Sequence, residues 1–481
     1  MRREKFIEEY VQALDRGSAG LFVGAGISMK ANYPSWKALV RDMAAEVGLD
    51  VDQEPDLAGV VQYFLNKAGK TRNRLARVIS AELGVEKPIP ELLRTLARLP
   101  LRHIWTTNYD ELLERAWREQ RLQLDVKTEN KHLTHDNPAA HAILYKMHGS
   151  VSVPADVVIA KGDYEAYRRK RGEFLNLLHG HLVSRHMLFL GFSFTDPNLS
   201  HLFTLIREAF DDTPRDHYAI VRRPQRGDYE GRGSKASFEY AQRRHELWVD
   251  DLQNYGIQCV VVDDWEEVDE IMSAVERRLS GSSVMVSGSY PESIPAGHLD
   301  ERPRIEQVSR GVGELLAARG YRIVSGFGLV VGSAVLSGAL GELYKEQAPN
   351  LDRRLFLRPF PQLIPEGLDR QEYYRRYRED LVHQAGVCVY IGGVKLDEGS
   401  LVTANGVVTE YEMLRRLART PIPIGATGGA AAEIWEAVSN DYETVFGPMP
   451  RRSFDLLNDR NQPPEKLVSA VGDILDWLRK H

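Results

Sequence analysis

The stretch Leu21-Phe22-Val23-Gly24-Ala25-Gly26-Ile27-Ser28 decides the fold, because an apolar run leads directly into a Gly-x-Gly turn. Consecutive apolar residues are typical of a strand buried on both faces, and glycines at its end let the backbone approach a phosphate group closely. Helical stretches separate this run from five others. The other runs are 103–107, 142–146, 187–191, 218–221 and 259–262. Strands that alternate with helices predict an α/β fold with a doubly wound parallel sheet.

A second α/β domain is predicted after the small polar stretch 280–283. The alternation of strands and helices restarts there, and its apolar runs are 284–289, 321–324, 354–357 and 386–390. We therefore expect two Rossmann-like domains, one over residues 1–280 and a smaller one over residues 283–481.

Charge and composition exclude several classes of protein. The 481 residues include 62 Lys plus Arg and 68 Asp plus Glu, and no excess of basic residues is available to bind nucleic acid. The charged N-terminus lacks the apolar core of a signal peptide, and no apolar run approaches the ~18 residues of a membrane span. These features predict a cytoplasmic protein that binds neither nucleic acid nor membranes.

The two cysteines, Cys259 and Cys388, each lie inside an apolar run. We expect both to be buried strand residues, since free cysteine behaves as a small apolar side chain. Two cysteines cannot supply a four-cysteine zinc site, so no metal is predicted.

Polar residues follow three further strands of the first domain. The segments are Thr106-Thr107-Asn108-Tyr109-Asp110, Met147-His148-Gly149-Ser150 and Gly191-Phe192-Ser193-Phe194-Thr195-Asp196-Pro197-Asn198. In the third, Thr195 or Asp196 could cap the following helix. Ligands of doubly wound sheets bind beyond the carboxyl ends of the strands, so these segments predict a ligand cleft.

In this order the motifs Gly-Ala-Gly-Ile-Ser, Thr-x-Asn-x-Asp and His-Gly resemble the NAD-binding domain of the sirtuins, over roughly residues 15–275. The resemblance implies that Gly24, Ala25 and Gly26 hold the NAD pyrophosphate, that Asn108 and Asp110 face the nicotinamide ribose, and that His148 acts beside it. Ser28 and Ser193 are further predicted NAD contacts.

Two departures from the sirtuin pattern argue against protein deacylation. A deacylase carries Gly-Ile-Pro-Asp-Phe-Arg after the first motif, whereas this chain reads Met29-Lys30-Ala31-Asn32-Tyr33-Pro34-Ser35-Trp36. The paired cysteines of the sirtuin zinc module are also absent from the sequence. The expected domain is thus a sirtuin-like sheet without a zinc module, with NAD+ as a substrate and no cofactor.

The chemistry that fits is hydrolysis of the nicotinamide glycosidic bond through an oxocarbenium-like ribosyl cation. Asn108 can hold the water or a ribose hydroxyl, and His148 is a candidate general base. Asp110 either stabilises the ribosyl charge or caps the next helix. Asp263, after the strand at 259–262, either binds the adenosine ribose or lies in a surface loop.

The second domain has its own phosphate-type turns, at Ser287-Gly288-Ser289 and Ser325-Gly326-Phe327-Gly328, and Thr409-Glu410 is predicted near the N-terminus of a helix. These turns resemble the SLOG superfamily of nucleotide sensors. A sirtuin-like domain followed by a SLOG domain resembles the NADase effectors of Thoeris antiphage systems, over essentially the whole chain.

The Thoeris resemblance implies an activator, a cyclic ADP-ribose isomer made by a TIR-domain partner enzyme, and a homotetramer. The implied activator-binding residues are Gly288, Ser289, Gly326, Phe327, Gly328, Arg378, Lys395 and Glu410.

Three alternatives remain open on the sequence alone. An NAD-dependent deacylase with a regulatory domain is one, and a non-catalytic nucleotide sensor is another. Catalysis by the second domain is the third, although Ala404-Asn405-Gly406-Val407-Val408-Thr409-Glu410 keeps only part of the phosphoribohydrolase motif Pro-Gly-Gly-x-Gly-Thr-x-x-Glu.

Overall fold

The computed structural model consists of two compact units, Met1–Glu276 and Arg277–His481. The residues that it describes are 1–69, 71–194, 196–210, 215–229, 235–292, 301–347, 351–361, 363–364 and 366–480. Thr195, one of the two predicted helix caps, lies outside the described residues.

The first unit has a seven-stranded sheet. Its strands are β1 (Ala19–Val23), β2 (His103–Thr106), β3 (Leu124–Lys127), β4 (Ala142–Lys146), β5 (His186–Leu190), β6 (His217–Arg222) and β7 (Ile257–Val262). The first twelve helices are α1 (Arg3–Asp15), α2 (Ala25–Lys30), α3 (Trp36–Val47), α4 (Leu57–Lys67), α5 (Asn73–Leu83), α6 (Glu91–Arg98), α7 (Leu112–Glu119), α8 (Lys161–Glu165), α9 (Tyr167–Ser184), α10 (Pro197–Phe210), α11 (Lys235–Gln253) and α12 (Glu266–Gly281).

The strand order of this sheet is β3-β4-β2-β1-β5-β6-β7, and all neighbours are parallel. The chain builds one side of the sheet from β1 to β4 and then crosses to β5 on the other side of β1. Val23 and Leu190, the last residues of β1 and β5, are register partners. The turns that follow them therefore meet at the topological switch point, where doubly wound sheets bind ligands.

The second unit has a five-stranded parallel sheet in the order β10-β9-β8-β11-β14, with a separate antiparallel hairpin, β12-β13. The strands are β8 (Ser283–Ser289), β9 (Arg322–Ser325), β10 (Leu355–Leu357), β11 (Val387–Gly392), β12 (Val394–Asp397), β13 (Ser400–Thr403) and β14 (Thr420–Ile424). The helices are α13 (Glu301–Ala318), α14 (Val331–Lys345), α15 (Leu351–Arg354), α16 (Arg370–Val382), α17 (Asn405–Arg416), α18 (Gly429–Asn440), α19 (Tyr442–Phe446), α20 (Arg452–Leu456) and α21 (Pro464–Lys480).

The two sheets confirm the predicted α/β class and every apolar run that the sequence assigned to a strand. Strands β3, β12, β13 and β14 were missed. One boundary was also wrong: α17 begins at Asn405, so Thr409 and Glu410 lie in its second turn. There the Thr409 hydroxyl donates to the Asn405 carbonyl inside the helix, at 2.9 Å, instead of capping an end.

Both cysteines are buried in strands, as predicted. Burial raises the pKa of Cys259 to about 12 and raises that of Cys388 well above its ordinary value. No helix within the described ranges is long and apolar enough to cross a membrane.

Candidate functional site

The turns after β1 and β5 pack against each other backbone to backbone. The amide of Gly26 donates to the carbonyl of Gly191 at 2.9 Å. A Cβ atom on Gly24 would lie 2.4 Å from the Gly191 oxygen, and one on Gly26 would lie 2.8 Å from the Gly191 Cα. This close contact requires glycine at positions 24 and 26. The predicted role of these glycines in phosphate binding is a separate reason for them. Ala25 begins helix α2.

Asn108 reaches this switch point from the end of β2. Its Nδ2 donates to the carbonyl of Gly24 at 2.9 Å and to Ser28 Oγ at 2.8 Å. The Gly24 carbonyl oxygen can only accept a hydrogen bond, so this contact fixes which end of the Asn108 side-chain amide faces Gly24. Asn108 Oδ1 is buried and accepts no hydrogen bond from the described residues. A buried acceptor without a partner costs free energy, and it is available to a ligand.

Ser28 and Asp110 continue the hydrogen-bond chain away from Asn108. Ser28 Oγ donates to Asp110 Oδ2 at 2.5 Å, and Asp110 Oδ1 accepts from the Leu112 amide at 3.0 Å, at the start of α7. The structure therefore gives Asp110 the helix-capping contact, which was one of its two predicted roles. Its contact with ribose stays a prediction.

His148 follows β4 and lies beside Asp196, with 3.1 Å between His148 Nε2 and Asp196 Oδ2. Both side chains are less than a tenth exposed. Burial raises the pKa of Asp196, but the charge of His148 and the hydrogen bonds that Asp196 accepts outweigh burial. The pKa of Asp196 therefore lies below its ordinary value.

Asp196 also caps α10, as the sequence predicted. Its Oδ1 accepts from the amides of Asn198 at 2.9 Å and Leu199 at 3.2 Å. The contact with His148 was missed. The only signal in the sequence is that a capping carboxylate uses one oxygen for the helix and leaves the other for a second donor.

The two remaining NAD-binding candidates are more exposed. Ser193 lies on the surface in the loop after β5. Asp263 follows the edge strand β7, two strands from β5, and its carboxylate pairs with Arg223 at 3.0 Å and accepts from Gln225. Asp263 therefore lies on the surface, which was the second of its two predicted positions. The structure does not bring it to the switch point.

In the second unit, Glu410 and Arg378 are brought together at the end of β8. Ser287 Oγ donates to Glu410 Oε2 at 2.6 Å, and Arg378 Nε lies 3.7 Å from Glu410 Oε1. This separation is too long for a hydrogen bond, and Arg378 Nε is buried without another acceptor in the described part of the chain. Burial raises the pKa of Glu410, and the Ser287 hydrogen bond and the Arg378 charge only partly oppose that effect.

Aromatic rings flank the Arg378 guanidinium, whose Cζ lies 5.1 Å from the ring centre of Phe360 and 5.8 Å from that of Tyr374. Neither ring was predicted. Of the other three arginines of α16, Arg375 and Arg376 pair with Glu372, and Arg370 Cζ lies 5.5 Å from the ring centre of Tyr374. Arg378 is therefore distinguished from them by its burial beside Glu410.

The glycine turns of this unit also pack closely against neighbouring residues. A Cβ on Gly288 would lie 2.0 Å from the Ile391 oxygen, and one on Gly328 would lie 2.0 Å from the Gly288 oxygen. A Cβ on Gly326 would lie 3.3 Å from the Tyr377 hydroxyl. Phe327, between the last two, has a φ of 54°.

Lys395 lies on the hairpin strand β12, where it is half exposed and 3.6 Å from Asp397. Ser289 Oγ donates to the carbonyl of Val394, the residue before Lys395, at 3.1 Å. No hydrogen bond or ion pair of the described residues joins Lys395 to Arg378 or Glu410. Their shared role in activator binding stays a prediction.

The described residues contain no group of three or more His, Cys, Asp or Glu side chains that could hold a metal ion.

Comparison with known proteins identifies both parts of the chain. Residues 102–246 match the SIR2-like domain family, and residues 267–478 match the Sir2- and TIR-associating SLOG family, STALD. NAD(+) hydrolase ThsA of Bacillus cereus (strain MSX-D12) is 36% identical over 475 residues, which cover 99% of this chain and 98% of that protein.

Other relatives have the same extent. NAD(+) hydrolase ThsA of Acinetobacter baumannii (strain 532279) is 33% identical over 98% of both chains. NAD(+) hydrolase ThsA of Enterococcus faecium is 33% identical over 98% of this chain and 99% of its own length. Identity at this level along the full length, with both domains in the same order, shows that the chain belongs to the ThsA family of NAD(+) hydrolases.

Proposed function

We propose that this protein hydrolyses NAD+ to nicotinamide and ADP-ribose and acts by NAD+ depletion in antiphage defence. The observation that carries the proposal is the unpartnered, buried Oδ1 of Asn108 at the switch point of the sheet. The buried pair of His148 and Asp196 follows β4 and β5, at the same carboxyl edge of the sheet. The ThsA relatives, whose name states this activity, support the choice of substrate.

The reaction divides between the ribose and the attacking water. The C1′–N bond breaks, nicotinamide leaves with the bonding electrons, and positive charge develops on the ribose. Asn108 Oδ1 accepts from a ribose hydroxyl or from the water. Water then adds to C1′ and gives its proton to His148, so the products are nicotinamide, ADP-ribose and a protonated imidazole.

Asp196 acts on this step through His148. The 3.1 Å approach of Asp196 Oδ2 to His148 Nε2 is a charge contact without hydrogen-bond geometry. A turn of the ring that directs Nε2–H at Asp196 would leave the lone pair on Nδ1, the nitrogen that we propose receives the proton. The carboxylate also stabilises the imidazolium that forms, as the acid of a catalytic triad does. We therefore assign Asp196 as a positioning residue.

Control by a second ligand is part of the proposal. Asn108 is 9% exposed and His148 is 4% exposed. We propose that a movement within the first unit opens both side chains to NAD+. A ligand produces such a change only by binding one arrangement more tightly than the other. We propose a cyclic ADP-ribose isomer, made by a TIR-domain partner, as that ligand.

The second unit offers the groups that such a ligand needs. Arg378 would bind its pyrophosphate and Glu410 its ribose hydroxyls, because the two side chains are too far apart to satisfy each other. Lys395 and the turns at Gly288, Ser289 and Gly326–Gly328 would complete the site. The proposed assembly is a homotetramer in the cytoplasm.

The test is nicotinamide release from NAD+ by the purified full-length protein, with and without a panel of cyclic ADP-ribose isomers. We expect one isomer to raise the rate of the wild type. His148→Ala should lower kcat by about 100-fold or more, since a general base contributes about that much. Asp196→Asn should also lower kcat, because Asp196 acts through His148. Thr204→Val is the matched control, because Thr204 is a half-buried residue of α10 whose hydroxyl donates to the Ser200 carbonyl of the same helix.

Three results would contradict the proposal. NAD+ binding without turnover under every isomer would indicate a non-catalytic sensor. Release of an acyl group from a peptide together with nicotinamide would indicate a deacylase. Full activity of His148→Ala would remove the assigned base.

A further inference from the structure

A fully buried lysine joins the two segments that carry Asn108 and His148. Lys146 is the last residue of β4 and is 0% exposed. Its Nζ donates to the carbonyls of Asp110 at 2.5 Å and Tyr109 at 3.3 Å, and it pairs with Glu114 Oε1 at 2.7 Å. No role was predicted for it from the sequence.

The position of Lys146 relates it to both segments. Thr106 and Lys146 are register partners at the ends of β2 and β4. Asn108 lies two residues after the first, and His148 two residues after the second. The Lys146 side chain thus crosses from the His148 strand to the loop that begins with Asn108 and holds the two carbonyls directly after it.

Stability alone is a poor reason for this arrangement. A buried ion pair is often no more stabilising than apolar side chains of the same size. Lys146 also lies near the N-terminus of α7, where the helix dipole disfavours a cation. Glu114 compensates only in part, because its Oε2 is buried without a hydrogen-bond partner in the described residues. Burial raises the pKa of Glu114, and the charge of Lys146 lowers it by a smaller amount, so the pKa lies above its ordinary value.

We propose that Lys146 is a positioning residue, which sets the place of Asn108 relative to His148 by holding the carbonyls of Tyr109 and Asp110. The inference rests on the proposed hydrolysis of NAD+. Lys146 does not contact the turn after β1, where the pyrophosphate is proposed to bind, so loss of Lys146 should lower kcat by a larger factor than it raises KM.

The experiment separates positioning from stability with a double variant. Lys146→Met removes the donor and leaves Glu114 buried without a partner. Lys146→Met/Glu114→Met replaces the whole pair by apolar side chains, so it should recover most of the Tm that the single variant loses. The two carbonyls still lack their donor, so kcat should stay about 100-fold below wild type, the usual cost of a misplacement of about 1 Å.

Lys127→Met is the matched control. Lys127 is also a buried lysine in an ion pair, with Asp125 at 2.8 Å, but it lies on the edge strand β3. The Lys127→Met variant should have a lower Tm than wild type and an unchanged kcat. Lys146→Arg keeps a donor and should recover part of the lost kcat.

Hydrogen exchange of the amides at 107–112 gives a second readout that needs no turnover. It should be faster in the double variant than in wild type and unchanged in Lys127→Met. A double variant with wild-type kcat or wild-type exchange would overturn the inference, and so would a Lys127→Met variant with the same kcat loss. A wild type that releases no nicotinamide would instead overturn the proposed function, and the exchange comparison would still decide the role of Lys146.

Discussion

Glu410, a proposed activator-binding residue, illustrates how a residue placed for binding would oppose stability. Its carboxyl is buried beside Ser287 and Arg378, and burial raises its pKa above the ordinary value of 4.5. A carboxyl with a raised pKa in the folded state destabilises the fold at pH above that pKa, and this cost disappears below the unfolded value. We therefore expect Glu410→Gln to raise the Tm of the second unit near neutral pH, while it removes the response to the cyclic ADP-ribose isomer.

Thermal unfolding at about pH 7.5 and at about pH 4 measures this effect. The gain in Tm should be present at the higher pH and absent at the lower. Glu412→Gln, an exposed position on the same helix, is the control and should change neither Tm nor activation. A Glu410→Gln protein that is less stable than wild type at the higher pH would contradict the assigned cause.

At the scale of the residue, the sequence was a better guide to which segments lie together than to which atoms form contacts. Asp196 was a candidate helix cap only, because a cap is a local pattern, whereas its contact with His148 joins positions 48 residues apart. Ser28 and Asp110 were predicted as NAD contacts, and the structure shows them bonded to each other. Their spacing in the sequence contains no information about that bond.

At the scale of the element, the turns after β1 and β5 require glycine. Gly24→Ala would place a Cβ 2.4 Å from a backbone oxygen, so the turns must separate. We expect a loss of about 1–3 kcal/mol in the free energy of unfolding, as for overpacked sites. NAD+ binding should weaken as well, because the same turn is predicted to hold the pyrophosphate.

Gly180→Ala is the control for this prediction. Gly180 is exposed on α9, and a Cβ there would have no neighbour within 4 Å. It should gain about 0.5–1 kcal/mol, since alanine is the better helix former. Urea unfolding of both variants gives the comparison, and equal stability of the two would exclude the turn contact as a constraint.

The strands that the sequence missed in the two main sheets are both edge strands. β3 is Leu-Asp-Val-Lys and β14 is Thr-Pro-Ile-Pro-Ile. An edge strand is paired on one side, so it tolerates polar residues and prolines that a central strand excludes. The apolar runs that the sequence does reveal include every central strand of both sheets, which is why the fold was predictable without β3 and β14.

At the scale of the molecule, each unit has its own sheet and its own core. We expect calorimetry of the His148→Ala protein to show two unfolding transitions. NAD+ should raise the transition of the first unit and the cyclic ADP-ribose isomer that of the second. A ligand at about 100 times its Kd adds about 2.7 kcal/mol to the unit that binds it.

The two ligands added separately provide the control. An isomer that raises only the first transition would place its site outside the second unit. In each unit the first strand is an apolar run that leads into a glycine turn. The boundary between Glu276 and Arg277 lies inside helix α12, four residues before the small polar stretch at 280–283.

The burial of Cys259 and Cys388 has a practical consequence for following activation. Both thiols are less than 3% exposed and their pKa values are raised, so neither offers a reactive thiolate to solvent at neutral pH. A cysteine introduced on the surface of either unit can therefore be coupled to a maleimide dye in the otherwise native sequence. A pair of such dyes placed within one unit would report movement of that unit when a ligand is added, with both buried strands left intact.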